Sequence, residues 1–133
     1  EISRGVASGD VDGDGDVDLL VANLMDQAQL YRNDAPRRGR WLAVRLIDPV
    51  LDRHALGARV TLVAGSRRTT RNVATASGYL TSHSPWVHFG NGDQQSIESV
   101  EVRWPDGSEE VFSGLATDRA ITLLRGRSWM ADG

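Results

Sequence analysis

The sequence predicts an all-β fold, either a β-sandwich or a partly open barrel, with an N-terminal β-hairpin built around an acidic loop. Three observations predict this class. Turn-forming residues recur at short intervals, no stretch keeps a helical period for long, and several runs alternate apolar with polar residues as half-buried strands do. The 133 residues suffice for one domain, or for a small domain with an appendage, that buries a reasonable core.

The acidic loop is the most informative segment of the chain. Residues 10–18 read DVDGDGDVD and place five carboxylates at alternate positions, with glycines at 13 and 15 where the backbone must turn. A bound Ca²⁺ takes about six to eight oxygen ligands, and the carboxylates match loop positions 1, 3, 5, 7 and 9 of a calcium site. The predicted metal ligands are Asp10, Asp12, Asp14 and Asp18 through their side chains and Asp16 through its backbone carbonyl.

The flanks of this loop indicate a hairpin rather than an EF-hand. Only nine residues precede Asp10, too few for an entering helix, and Val21 stands where an EF-hand needs its Glu. The exit from Val17 to Ala22 is a short apolar run, which predicts a buried strand. A metal-free turn is the alternative, because Asp and Gly favour turns without any ion. Five mutually repelling acids would gain nothing in such a turn.

The remaining strands follow from alternation and from turn signals. A short strand at 29–32 ends at the turn formers of 33–36, and residues 37–40 form a predicted hinge. In the strand at 57–64 we expect Val60 and Leu62 to face the core and Arg59 to face solvent. Tight turns are predicted at 65–66, 91–92 and 105–107. The other predicted strands are 41–47, 67–75, 86–89, 98–104, 109–112 and 120–124.

Composition narrows the classes of partner and compartment. Fifteen basic residues against eighteen acids give a net charge of −3, which argues against a nucleic-acid partner. Cysteine is absent, which excludes disulfides and cysteine-bound metals, and no apolar run reaches the length of a membrane span. Because the chain starts at Glu1 without Met or a signal peptide, we expect that an upstream segment was removed. A calcium loop of this kind favours an extracellular or periplasmic location.

Two sets of motifs carry a resemblance to known families. The segment 8–23, followed by LYRN at 30–33, resembles one FG-GAP (VCBS-type) repeat, the calcium-bearing blade of integrin-like β-propellers. WLAVRL at 41–46, ALGARV at 55–60, GYL at 78–80, VHFG at 87–90 and VRWPDG at 102–107 together resemble the ASPIC/UnbV domain. The two units follow one another in the family of cartilage acidic protein and its bacterial relatives. The resemblance implies a calcium-binding repeat at 1–36 and an ASPIC/UnbV-like β domain at 37–133.

This chain departs from the family pattern at two points. Asn91 stands where the family has Leu in F-G-x-G. This difference alters the type of turn that the segment favours more than it alters the resemblance to the family. The family's propeller takes several blades and this chain holds one. We therefore expect either a C-terminal piece of a longer protein or a stand-alone relative.

The predicted function is that of a calcium-binding, extracytoplasmic interaction or adhesion-type module without catalysis. Its partner would be a protein or glycan, with no membrane insertion. One alternative is an accessory or catalytic domain, because the UnbV name links the family to enediyne gene clusters. The three histidines are His54, His83 and His88, and Ser82–Ser84 with Asp93 would be a weak nucleophile set, but no G-x-S-x-G elbow exists. No catalytic residue is therefore predicted.

Glycan or polyanion binding is the other alternative. Arginines cluster at 37, 38 and 40 and again at 67, 68 and 71, and their guanidinium forks bind phosphate, sulfate or carboxylate well. Edge strands, however, carry charge for another reason, because it blocks pairing with other sheets. Four tryptophans, at 41, 86, 104 and 129, would supply stacking surfaces for sugars, although those at 41 and 104 lie in predicted strands and favour the core.

Overall fold

The computed structural model describes residues 3–35, 39–51, 53–74, 85–92, 96–127 and 129–132. These residues form twelve β-strands and no helix, so the predicted all-β class is confirmed. Accordingly, the described part of the chain holds no helix long and apolar enough to cross a membrane. His83, Asp93, Arg37, Arg38 and the GYL motif at 78–80 lie outside the described residues.

The chain forms two compact units. The first takes in Glu1–Arg37 and Ala74–Ser84, and the second takes in Arg38–Val73 and Pro85–Gly133. Each unit has its own sheets, and the acidic loop belongs to the first.

The first unit contains a three-stranded antiparallel sheet in the order β1-β2-β3. The strands are β1 (Ser3–Gly9), β2 (Asp18–Asn23) and β3 (Gln29–Tyr31). Gly9 pairs with Asp18, so residues 10–17 close a β-hairpin, as the sequence predicts.

Burial in this sheet differs from the sequence-based expectation. The apolar run after the loop predicts a buried strand, but Leu19 and Leu20 are 43% and 46% exposed, so that expectation is wrong. Leu20 pairs with Leu30, and Leu19 pairs with Tyr31, so apolar side chains cover both faces of the sheet. A local apolar run shows only that its side chains favour burial. Actual burial requires that other parts of the protein pack over each face of the sheet.

The second unit consists of two sheets. A four-stranded antiparallel sheet has the order β10-β9-β6-β7, and a five-stranded sheet has β4 at its centre. β11 pairs with β4 in parallel on one side, while β8 and β5 pair with it in succession on the other, and β12 extends the sheet beyond β11. The strands are β4 (Arg40–Asp48), β5 (Arg53–His54), β6 (Arg59–Ala64), β7 (Arg67–Asn72), β8 (Val87–Gly92), β9 (Ser99–Arg103), β10 (Glu109–Ser113), β11 (Arg119–Leu124) and β12 (Trp129–Asp132).

The apolar core of the second unit is shared by both sheets, as in a β-sandwich, and neither sheet closes into a barrel among the described residues. Val60 and Leu62 are buried and Arg59 is exposed, which confirms the predicted faces of β6. On β4 the same alternation buries Leu42, Val44 and Leu46. The remaining core residues are Ala55, Ala58, Val73, Val87, Phe89, Ile97, Val100, Val102, Trp104, Phe112, Leu115, Ile121 and Leu123.

The dipeptide Asn91-Gly92 has a different role from the predicted tight turn. Trp41 pairs with Gly90 and Arg40 pairs with Gly92, so Asn91 is the additional residue of a β-bulge within β8, and it is buried. Gly92 has a φ of +53°, which a bulge can require as well as a turn. The two short strands β5 and β12 have no clear signal in the sequence.

Candidate functional site

The acidic loop is organised by the carboxylate of Asp10. Its Oδ1 accepts hydrogen bonds from the backbone N–H groups of Gly13 at 2.7 Å and Asp14 at 3.1 Å, and its Oδ2 accepts one from Gly15 at 2.8 Å. Gly13 and Gly15 have φ values of +76° and +92°, a left-handed conformation that disfavours side chains. Asp10 therefore holds the backbone of the loop in a tight curl around its own oxygens.

Asp18 closes the other side of the loop at the start of β2. Its Oδ2 accepts a hydrogen bond from the N–H of Val11 at 2.9 Å, and its Oδ1 accepts one from the N–H of Asn33 at 2.8 Å. Hydrogen bonds from Asn33 and Val11 lower the pKa of Asp18, so this carboxyl stays ionised although only 2% of its surface is exposed. Asp18 is the single buried residue within 3–35. The chain beyond β3 thus returns to the acidic loop.

Three carboxylates converge in this loop. Asp10, Asp12 and Asp18 each contribute one oxygen to a group whose members lie within 4.8 Å of one another. Asp14 and Asp16 lie outside that group, and Oδ1 of Asp14 accepts the N–H of Asp16 at 2.9 Å. Desolvation raises the pKa of Asp12, and the nearby charges of Asp14 and Asp18 act in the same direction. The structure therefore concentrates negative charge at one point of the loop.

Arg32 is the cation beside this group. Its Nε lies 3.9 Å from Oδ2 of Asp12, but its guanidinium is committed to Asp34 through two hydrogen bonds of 2.7 Å and 3.0 Å. Both partners are largely exposed, so the surrounding water screens their interaction. Arg32 therefore borders the carboxylate group without neutralising it.

The donor set suits a hard cation. Only oxygen atoms converge, with neither imidazole nor thiolate among them, and such sets favour Ca²⁺, Mg²⁺ or Mn²⁺. Each carboxylate offers about four acceptor positions. The hydrogen bonds described above occupy three on Asp10 and two on Asp18, which leaves acceptor positions on both.

Arg40, Arg68 and Arg71, which belong to the two arginine clusters of the sequence, each contact a different group of the protein. Arg40 forms an ion pair with Asp118, and Arg68 forms one with Glu101. The Nε of Arg71 donates to the carbonyl of His88 at 3.2 Å. β7, which carries residues 67, 68 and 71, is an edge strand of its sheet, as expected if its charge blocks edge pairing. Trp104 is buried in the core rather than exposed as a stacking surface.

Sequence reasoning missed a charged network in the second unit. The Nη1 of Arg125 donates to Oδ2 of Asp48 at 3.2 Å, while its Nη2 donates to Asp106 and to Oγ of Ser108, the latter at 2.7 Å. The guanidinium also lies over the ring of Trp104, 5.3 Å from its centroid. Hydrogen bonds from Ser108 and Arg125 hold the pKa of Asp106 far below its usual range. The sequence marks 105–107 as a turn, but it contains no signal that pairs Asp106 with a residue 19 positions away.

Comparison with known proteins places the chain in a family. Residues 50–128 match the ASPIC and UnbV family. The chain belongs to that family. Its relatives include cartilage acidic protein 1 from Homo sapiens, 37% identical over 112 residues, and from Mus musculus, 36% identical over 119 residues. The alignments cover 79% and 86% of this chain but only 17% and 18% of those proteins, so the chain spans less than a fifth of their length.

Proposed function

We propose that this ASPIC/UnbV chain is a calcium-binding interaction module of an extracytoplasmic protein, and that its role is binding rather than catalysis. The observation that carries the proposal is the convergence of Asp10, Asp12 and Asp18 in one loop. A Ca²⁺ ion there would be held by these three carboxylates, with Asp14 and the carbonyl of Asp16 as the further ligands that the loop spacing predicts. The ion would offset the repulsion among the carboxylates and tie β1, β2 and the chain after β3 together.

Calcium suits this loop better than magnesium. Magnesium requires near-octahedral geometry and gives up its water reluctantly, whereas calcium accepts six to eight oxygens in flexible arrangements. The loop provides many oxygens on a short segment whose shape depends on glycines and backbone hydrogen bonds. Such a segment adapts to a larger ion more easily than it enforces a rigid octahedron.

The first unit further supports a repeat of the FG-GAP/VCBS type. Its sheet carries apolar side chains on both faces, including Leu19, Leu20, Leu30 and Tyr31, all more than two-fifths exposed. A sheet of this kind is complete only when neighbours cover both faces, which is the situation of a propeller blade. The alignment with the mouse relative covers 86% of this chain, more than the 97 of 133 residues in 37–133, so it extends into the N-terminal segment.

An extracytoplasmic setting follows from the same proposal. Binding constants of extracellular calcium modules fall at about 10⁻⁴ to 10⁻³ M, and such sites fill only where calcium is abundant. The relatives are named for cartilage, a tissue rich in extracellular matrix. The binding partner of such a module would be a protein or a glycan.

Thermal melts in EDTA, magnesium and calcium test the metal site. With a dissociation constant of about 10⁻⁴ to 10⁻³ M, 10 mM calcium adds roughly 1.4 to 2.7 kcal/mol to the free energy of unfolding by mass action. Asp12→Asn removes one ligand charge at an exposed position and should remove most of this increment. Asp26→Asn is the matched control, because Asp26 is an exposed acid of the first unit outside the loop, where its carboxylate accepts the N–H of Gln27. Equal melting temperatures of the wild type in all three media, with no heat of calcium binding in calorimetry, would refute the proposal.

A further inference from the structure

Arg32 lies beside the acidic loop because of its place directly after β3. Tyr31, the last residue of β3, pairs with Leu19 of β2, and continuing this antiparallel register by one residue places Arg32 opposite Asp18. The N–H of the following residue, Asn33, donates to Oδ1 of Asp18 at 2.8 Å. Strand pairing and this hydrogen bond therefore hold the backbone of Arg32 next to the converging carboxylates.

The guanidinium of Arg32 faces two acidic groups through its Nε. This atom lies 2.7 Å from Oδ1 of Asp34 and 3.9 Å from Oδ2 of Asp12. Hydrogen bonding to Asp34 and the charge of Asp34 raise the pKa of Arg32, and the charges of Asp12 and Asp18 act in the same direction. Arg32 thus interacts electrostatically with two of the three converging carboxylates, while Asp34 offsets part of its charge.

The charge of Arg32 has opposite effects on the metal-free and the calcium-bound loop. In the metal-free loop it reduces the repulsion among the carboxylates, whereas a Ca²⁺ ion at the same carboxylates would itself be repelled by Arg32. Asp34 acts in the reverse direction, because its carboxylate pairs with Arg32. We infer that Arg32 and Asp34 set the calcium affinity of the acidic loop, Arg32 by lowering it and Asp34 by raising it. This inference rests on the proposed calcium site and gives a role to two residues outside its predicted ligands.

The expected effect is modest because the charged groups are exposed. The side chains of Arg32 and Asp34 are 59% and 62% exposed, and that of Asp12 is 35% exposed. Exposed ion pairs of this kind change an equilibrium constant by about two- to fivefold. The screening length falls from about 10 Å at 0.1 M salt to about 3 Å at 1 M, so high salt should remove most of the effect. A change in the shape of the loop would not respond to salt in this way.

Nuclear magnetic resonance titration of the full chain with calcium chloride tests this inference. The amide signals of Gly13 and Gly15 report on occupancy of the loop, because both amides donate to Asp10. At about 0.1 M NaCl, Arg32→Gln should bind calcium about two- to fivefold more tightly than the wild type, and Asp34→Asn about two- to fivefold more weakly. Arg32→Lys keeps the charge and should bind nearly as the wild type does. At about 1 M NaCl these differences should largely disappear.

Two variants with the same changes of charge are the matched controls. Arg4→Gln removes an exposed arginine near the start of β1, about 20 Å along the strand from the loop. Asp26→Asn removes an exposed acid between β2 and β3, at the same end of the sheet, away from the loop. Both should leave the affinity unchanged.

The outcomes separate this inference from the calcium site itself. If the wild type binds calcium but Arg32→Gln binds it no more tightly than Arg4→Gln, the inference is overturned and the site stands. The same conclusion follows if the differences persist unchanged at high salt, or if Asp34→Asn and Asp26→Asn have equal affinities. If the wild type binds no calcium, the proposed site fails, and this inference fails with it.

Discussion

The two units of this chain have opposite relations between apolar residues and burial. In the second unit, apolar side chains from two sheets form a shared core. Within 3–35 of the first unit, the apolar residues are at least partly exposed and the one buried residue is the carboxylate Asp18. The second unit is thus stabilised mainly by apolar burial. The first depends on backbone hydrogen bonds to Asp10 and Asp18 and, in our proposal, on calcium and further partners.

A Leu→Ala substitution in each unit tests this difference most directly. Leu62→Ala should lower the free energy of unfolding by about 2 to 5 kcal/mol, because it leaves a cavity in the core. Leu20→Ala should cost about 0.5 kcal/mol or less, because Leu20 is exposed. Chemical denaturation of the two variants provides the measurement, with Arg59→Ala as an exposed control on β6. Similar losses for Leu20 and Leu62 would show that the first unit has a core of its own.

The calcium effect should be confined to the first unit. If the ion adds about 1.4 to 2.7 kcal/mol to local stability, hydrogen exchange at protected loop amides should slow by about 10- to 100-fold. The informative amides are those of Val11, Gly13, Gly15 and Asn33, which donate to Asp10 or Asp18. Amides of β6 and β9 are the internal control and should be unaffected. Equal slowing in both units would mean that calcium acts on the chain as a whole rather than through this loop.

Replacing a glycine of positive φ by Ala should lower the stability by a similar amount in the two units. An added methyl group would meet no atom within 4 Å at Gly13 or Gly57, whose φ values are +76° and +90°. Replacement by Ala should therefore cost only backbone strain, about 1 to 2 kcal/mol at each position. Gly90→Ala is the control, because its surroundings are equally open and its φ lies outside the left-handed region. Calorimetric melting temperatures should fall for the first two variants and stay nearly constant for the third.

The smallest expected effect concerns the charged network of the second unit. The pKa of Asp106 is lowered in the folded state, so its contribution to stability is present above the unfolded value of about 3.9 and declines as the pH falls below it. Asp106→Asn should lower the melting temperature by a few degrees at most at pH 6, because the side chain is largely exposed. The difference from wild type should shrink towards pH 3. A difference that stays constant from pH 6 to pH 3 would contradict this prediction.

Several features of this protein could be predicted from the sequence alone. The alternation around Val60 and Leu62 located a strand and its buried face, and the acidic loop was located between two paired strands. Both features depend on residues a few positions apart, because side-chain direction in a strand and the φ preference of glycine are local properties. The ASPIC/UnbV motifs were likewise recognised from short segments, and the family match covers residues 50–128.

Only the tertiary structure decided the features that depend on distant residues. It pairs β4 with β11 in parallel, joins Arg125 to Asp48 and Asp106, and makes Asn91 a bulge rather than a turn. It also brings three of the five loop aspartates together and leaves the apolar residues of β2 exposed. The sequence determines the local conformation that each residue favours. Burial and strand pairing depend on which distant residue becomes its neighbour. That neighbour is selected by the packing of the whole unit.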